Sequence, residues 1–101
     1  MILWKRMLRT ASSERFLAVR NGKEVAAVDL HFLDRATAGT VVLYEDAGIQ
    51  DRDVPALLAS LDDDLLPGVD LEAGTLTFTV VRGKVLGNFE ATDDEADAAA
   101  R

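Results

Sequence analysis

The chain has 101 residues, 49% hydrophobic and 29% charged, with a formal net charge of −7 and no cysteine. That length is one domain able to bury its own core, and the missing cysteines exclude disulfides, thiolate nucleophiles, iron–sulfur clusters and cysteine zinc sites. The acidic balance opposes binding to nucleic-acid phosphates, and no run approaches the ~20 apolar residues of a membrane helix.

Met1–Arg9 opens the chain. Lys5 and Arg6 interrupt it where a secretory signal needs a continuous apolar stretch, so a cytoplasmic protein is expected. A helix of this length with no cap before it is marginal, so the segment is expected as a strand. Phe16–Val19 and Glu24–Leu33 then flank Asn21-Gly22, the dipeptide that accepts positive φ at both centres of a type I′ turn. Within the second run Val28, Leu30 and Phe32 share one face, and Asp29 and His31 share the other. Asp34–Gly39 reads as a turn-rich loop, and Thr40–Tyr44 as a further β-branched strand. Short links between these strands predict an antiparallel meander.

Asp53 is a plausible N-cap, and Pro55 suits a first helical turn, where its missing N–H has no intrahelical partner. Val54, Leu57, Leu58, Leu61 and Leu65 recur at spacings of three and four and form one apolar stripe. Pro67-Gly68 stops the run. Asp62, Asp63 and Asp64 lie near the helix C-terminus, where the macrodipole disfavours negative charge. Beyond the helix, Thr75–Ala91 alternates Leu76, Phe78 and Val80 with Thr75, Thr77 and Thr79, breaks at Arg82-Gly83, and resumes with Val85 and Phe89. The pattern predicts a β-hairpin with one oily face and one hydroxyl-bearing face. Gly83 reads as its turn residue, and Gly87 as a bulge or a close approach. Residues 92–101 are acidic and alanine-rich, and are expected as a flexible tail behind a single 1–91 domain.

The expected fold is therefore two-layer α+β: an antiparallel sheet of five to six strands in the order β-β-β-β-α-β-β, with one helix packed on one face. Its core should contain Leu76, Phe78, Val80, Val28, Leu30, Phe32, Leu57, Leu58 and Leu61. Read instead as a helix, Met1–Arg9 would give α-β-β-β-α-β-β. That order, with the acidity, resembles small acidic bacterial secretion chaperones; the resemblance implies partner binding through exposed sheet surfaces and dimerisation around the second helix.

Chemistry is sparse. His31 is the single histidine, with Asp29 two residues before it on the same strand face. A carboxylate beside an imidazole is the nucleus of an acid–base pair. Ser12, Ser13 and Ser60 supply hydroxyls, none in a Gly-x-Ser-x-Gly elbow. Counted from Asp62, the acidic stretch has Pro67 at the sixth position and Ala73 at the twelfth, where a calcium loop needs glycine and glutamate. Around Lys84, Gly83 and Gly87 lack phosphate-loop spacing. No catalytic residue, metal or cofactor is expected.

Residues 1–23 carry six basic side chains and one acidic, 6 − 1 = +5, against 5 − 17 = −12 over 24–101. The candidate ligand or interface residues are Asp29, His31, Thr75, Thr77, Thr79, Tyr44 and Trp4. The first expectation is a non-enzymatic interaction or accessory module that self-associates or binds a protein partner through an open sheet face and a sheet edge. The alternatives are a small-molecule binding domain or minor enzyme centred on His31 and Asp29, and an acidic chaperone-like or decoy protein that captures a basic partner.

Overall fold

The computed structural model describes residues 2–65 and 75–91. Among these residues five strands form one sheet in the spatial order of the chain: β1 (Leu3–Arg9), β2 (Ser13–Arg20), β3 (Lys23–Leu33), β4 (Ala36–Tyr44) and β5 (Thr75–Gly83). Among the described residues one α-helix, α1 (Val54–Leu65), lies between β4 and β5 and is preceded by a 3-10 turn, Asp51–Asp53. The class is α+β, as expected, and Met1–Arg9 contributes a strand. The helical alternative for that segment, and with it the chaperone-like element order, does not hold.

Two expectations about the sheet need correction. β1 to β4 are antiparallel neighbours, but β5 runs parallel to β4, so the sheet is mixed. The long connection through α1 makes this arrangement reachable, because parallel neighbours require a crossover of a dozen or more residues. The second correction concerns Thr75–Ala91, which is one strand followed by irregular chain rather than a hairpin. Gly83 stays in the ladder, its carbonyl accepting a hydrogen bond from the Glu45 amide at 2.9 Å. The Arg82 guanidinium is drawn to the Ile49 carbonyl (2.6 Å) and to Asp51 (2.8 Å). The residues needed for the turn are thus held in place, and Lys84–Ala91 forms no return strand.

The meander's turns follow local chemistry. Asn21 and Gly22 have φ of 53° and 77°, as the type I′ turn requires. The loop expected over Asp34–Gly39 shrinks to Asp34-Arg35, because Ala36 to Gly39 pair with Leu33 to Leu30. The helical run starts a turn earlier than the Asp53 cap implies: Asp53 Oδ2 accepts from the Gln50 amide at 2.9 Å, and its own amide donates to the Gln50 carbonyl.

The register sorts side chains to two faces. Phe16, Val28, Val41 and Val80 form one cross-strand row, and Leu30, Gly39 and Phe78 another. This face packs under α1, where Leu57 (5% exposed) and Leu61 (0%) complete the core with Ala18, Val25, Ala26, Leu43, Ala47 and Ile49. Phe32, Leu58, Leu76, Phe78 and Val80 are only half-buried against that cluster. Ala47 and Ile49 enter from the β4–α1 connection, which Arg20 and Lys23 hold through the carbonyls of Ala47 (3.0 Å) and Asp46 (3.2 Å). Among the described residues no helix is long and apolar enough to cross a membrane. The tail expected over 92–101 and the Pro67-Gly68 stop lie outside the described residues.

Candidate functional site

The face turned away from α1 carries the candidate chemistry. In cross-strand register, Ser13, His31, Ala38 and Thr77 form one row, and Arg15, Asp29, Thr40 and Thr79 the next. His31 and the threonine ladder therefore share a face. His31 and Thr77 are two strands apart, about 10 Å at the strand spacing of a sheet. Leu17, Ala27, Val42 and Val81 make a third, apolar row, and Thr75 follows Leu33 and Ala36 at the other end.

Ser13, His31 and Asp29 are neighbours on this face, an assortment that has the residue types of a nucleophile, a base and an orienting carboxylate. The hydrogen bonds run elsewhere. Asp29 Oδ1 accepts from Arg15 Nε at 2.6 Å, and the Ser13 hydroxyl pairs with that of Thr10 at 2.6 Å. Among the described residues neither Asp29 nor Ser13 is hydrogen-bonded to His31. Asp29 instead raises the Arg15 pKa above its ordinary value, by the hydrogen bond first and the ion pair second.

Beside this patch lies an open groove of about 830 Å³. It is lined by Leu17, Ala27, Asp29 and Tyr44 of the sheet, by Met7 of β1, and by Lys84, Val85 and Asn88 from the chain after β5. His31 is not among the lining residues. Tyr44 is half-buried, and burial first, then the nearby Glu24 carboxylate, push its phenol above the ordinary 10.0. This groove was not legible in the sequence, because its wall comes from residues 84–91, which alternate as a strand would.

Trp4 sits apart from these candidates. It pairs with Ala18 on the covered face, and its indole Nε1 donates to Ser60 Oγ of α1 at 3.2 Å. It is a packing residue between β1 and the helix. Phe89 is 89% exposed beyond β5, and the close approach expected at Gly87 is to this ring, 3.1 Å from where a Cβ would stand.

The basic N-terminal segment is largely used inside the fold. Glu14 lies 3.4 Å from both Arg6 and Arg9, Arg6 stacks 5.5 Å above the Phe16 ring, and Arg15, Arg20 and Lys23 bind the partners given above. On α1, Ser60 Oγ donates to Asp64 Oδ2 at 3.4 Å. Among the described residues no three His, Cys, Asp or Glu side chains converge as a metal site. Compared with protein-family models, with curated proteins and with solved structures, the chain matches none.

Proposed function

We propose that this protein is a non-enzymatic interaction module that self-associates through its sheet. One observation carries the reading: α1 covers one face only, and β5, with its threonines on the other face, is a terminal strand of the sheet. A terminal strand with polar but uncharged side chains offers backbone hydrogen bonds and methyl-bearing contacts together. The engagement of Asp29 by Arg15 and of Ser13 by Thr10 supports a binding rather than a catalytic role for this face. Light scattering at micromolar concentration tests it, with a dimer expected; a monomer across the accessible concentration range refutes it.

The groove favours a second reading, a small amphipathic ligand lying over Leu17 and Ala27 against Tyr44. Nuclear magnetic resonance screening with small aromatic and aliphatic acids and amines checks it. Shifts confined to Leu17, Ala27, Tyr44 and Val85 support this reading, and unperturbed spectra at millimolar ligand dismiss it.

A further inference from the structure

Resting on the self-association reading, we infer that two copies join edge to edge through β5, antiparallel and centred on Thr79, extending the sheet across a two-fold axis. The argument begins with the direction of the backbone groups. The Thr75 amide donates to the Arg35 carbonyl at 3.0 Å, and the Gly83 carbonyl accepts from the Glu45 amide. Backbone groups alternate sides along a strand, so Thr75, Thr77, Thr79, Val81 and Gly83 bond toward β4. Leu76, Phe78, Val80 and Arg82 present their N–H and C=O groups to the outer edge, which no other described strand occupies.

Only some self-pairings satisfy that pattern. A register that sets Phe78 against Thr79 of the second copy puts outward groups against inward ones and sends side chains to the wrong faces. Registers that set even residues against even ones meet both conditions, and the one centred on Thr79 uses the whole of Thr75–Gly83. Phe78 then exchanges both hydrogen bonds with Val80 of the second copy, and Leu76 with Arg82. Phe78 beside Val80 is an aromatic–β-branched pair of the kind that stabilises sheets. Both are half-buried at the margin of the core, so the second copy continues that core across the axis. The two helices fall on the same side of the extended sheet.

Charge selects this edge over the other. From Thr75 to Val81 β5 has no ionised side chain, and Arg82 is turned back to Ile49 and Asp51 of its own chain. β1 is guarded: it carries Lys5, Arg6 and Arg9, and a bulge between Arg6 and Leu8. Paired with itself about its midpoint, β1 would set Arg6 on Arg6. Lysine, arginine and bulges on an edge are the features that discourage strand addition, and β5 has none at its centre.

The test exploits the two-fold. Thr79 is exposed on the open face, so Thr79→Lys and Thr79→Glu leave the single-copy fold intact, which circular dichroism verifies. Each variant alone places like charges directly opposite and should weaken the dimer at least about five-fold. An equimolar mixture of the two should restore it to the wild-type level or above, a rescue that a mere folding defect would not show. Thr79→Cys supplies a single thiol to a chain with no cysteine. It faces its own copy at about 4.5 Å between Cα atoms, within disulfide reach, and should cross-link on mild oxidation, whereas Thr77→Cys should not. A wild-type dimer that both charged variants retain, or that mixing fails to rescue, overturns the β5 register and leaves self-association standing. A monomeric wild type overturns both.

Discussion

Gly39 lies beneath the ring of Phe78, and a Cβ there would stand 2.5 Å from the Phe78 Cδ1 and 3.1 Å from a Leu30 methyl. Backbone and ring meet because β4 and β5 are parallel with Gly39 opposite Phe78, so the glycine supplies the space rather than a turn. Gly39→Ala should push Phe78 off its position and destabilise the fold by about 1–3 kcal/mol, read as a lower midpoint in urea with an unchanged slope. Tyr44 gives a pH-dependent counterpart. Its phenol titrates above 10.0 in the folded chain, through burial and Glu24. The unfolded chain then releases that proton first, so the associated stability is complete below the ordinary value and lost as pH rises through the folded one. Stability measured by urea unfolding from pH 8 to 11 should fall at the alkaline end, and Tyr44→Phe should flatten that fall.

At the scale of elements, the β4–α1 connection is held by arginines that the charge pattern alone would assign to the surface. Arg82 reaches from β5 to the Ile49 carbonyl and Asp51, and Arg20 from β2 to the Ala47 carbonyl. These contacts seat the buried side chains of Ala47 and Ile49 and place the 3-10 turn that starts the helix. Arg82→Ala should cost about 1–2 kcal/mol through the lost charge-assisted bond to the Ile49 carbonyl. Asp51→Asn should leave the unfolding midpoint nearly unchanged, because that partner is fully exposed and the pair is screened by solvent. Thermal unfolding of the two variants separates the contributions. The same arginine explains why the expected hairpin fails. The alternation after Gly83 is real in the residues, but Arg82 and Gly83 are committed to the Ile49–Asp51 segment and to the end of β4, so no tight turn forms.

Across the whole molecule, one helix over a five-stranded sheet leaves a face that only Lys84–Asn88 flank, and a terminal strand without a strand beside it, among the described residues. A dimer through β5 would couple stability to concentration, because association stabilises only the folded chain. The unfolding midpoint should therefore rise between micromolar and hundred-micromolar protein, and in Thr79→Lys that rise should begin at a higher protein concentration. Much of this design was legible in the residues themselves. The alternation in Val28–Phe32 and Leu76–Val80, the Asn21-Gly22 turn and the leucine stripe of α1 are local patterns set by the two backbone periods. Each appears where expected. The core members Val25 and Ala26 are not legible in this way, because a bulge between Ala18 and Val19 buries them in succession, which strict alternation forbids.

The sequence by itself determined the class, the helix over Val54–Leu65 and which residues of Val28–Phe32 and Leu76–Val80 share a side. These depend on neighbours a few positions apart. Only the tertiary structure decided that β5 lies parallel beside β4, that His31 and Thr77 occupy one row, and that Asp29 binds Arg15 instead of His31. It also decided that Trp4 packs under the helix. Those outcomes depend on register between strands distant in the chain, where pairing is chosen by the whole packed sheet and not by any segment's own pattern.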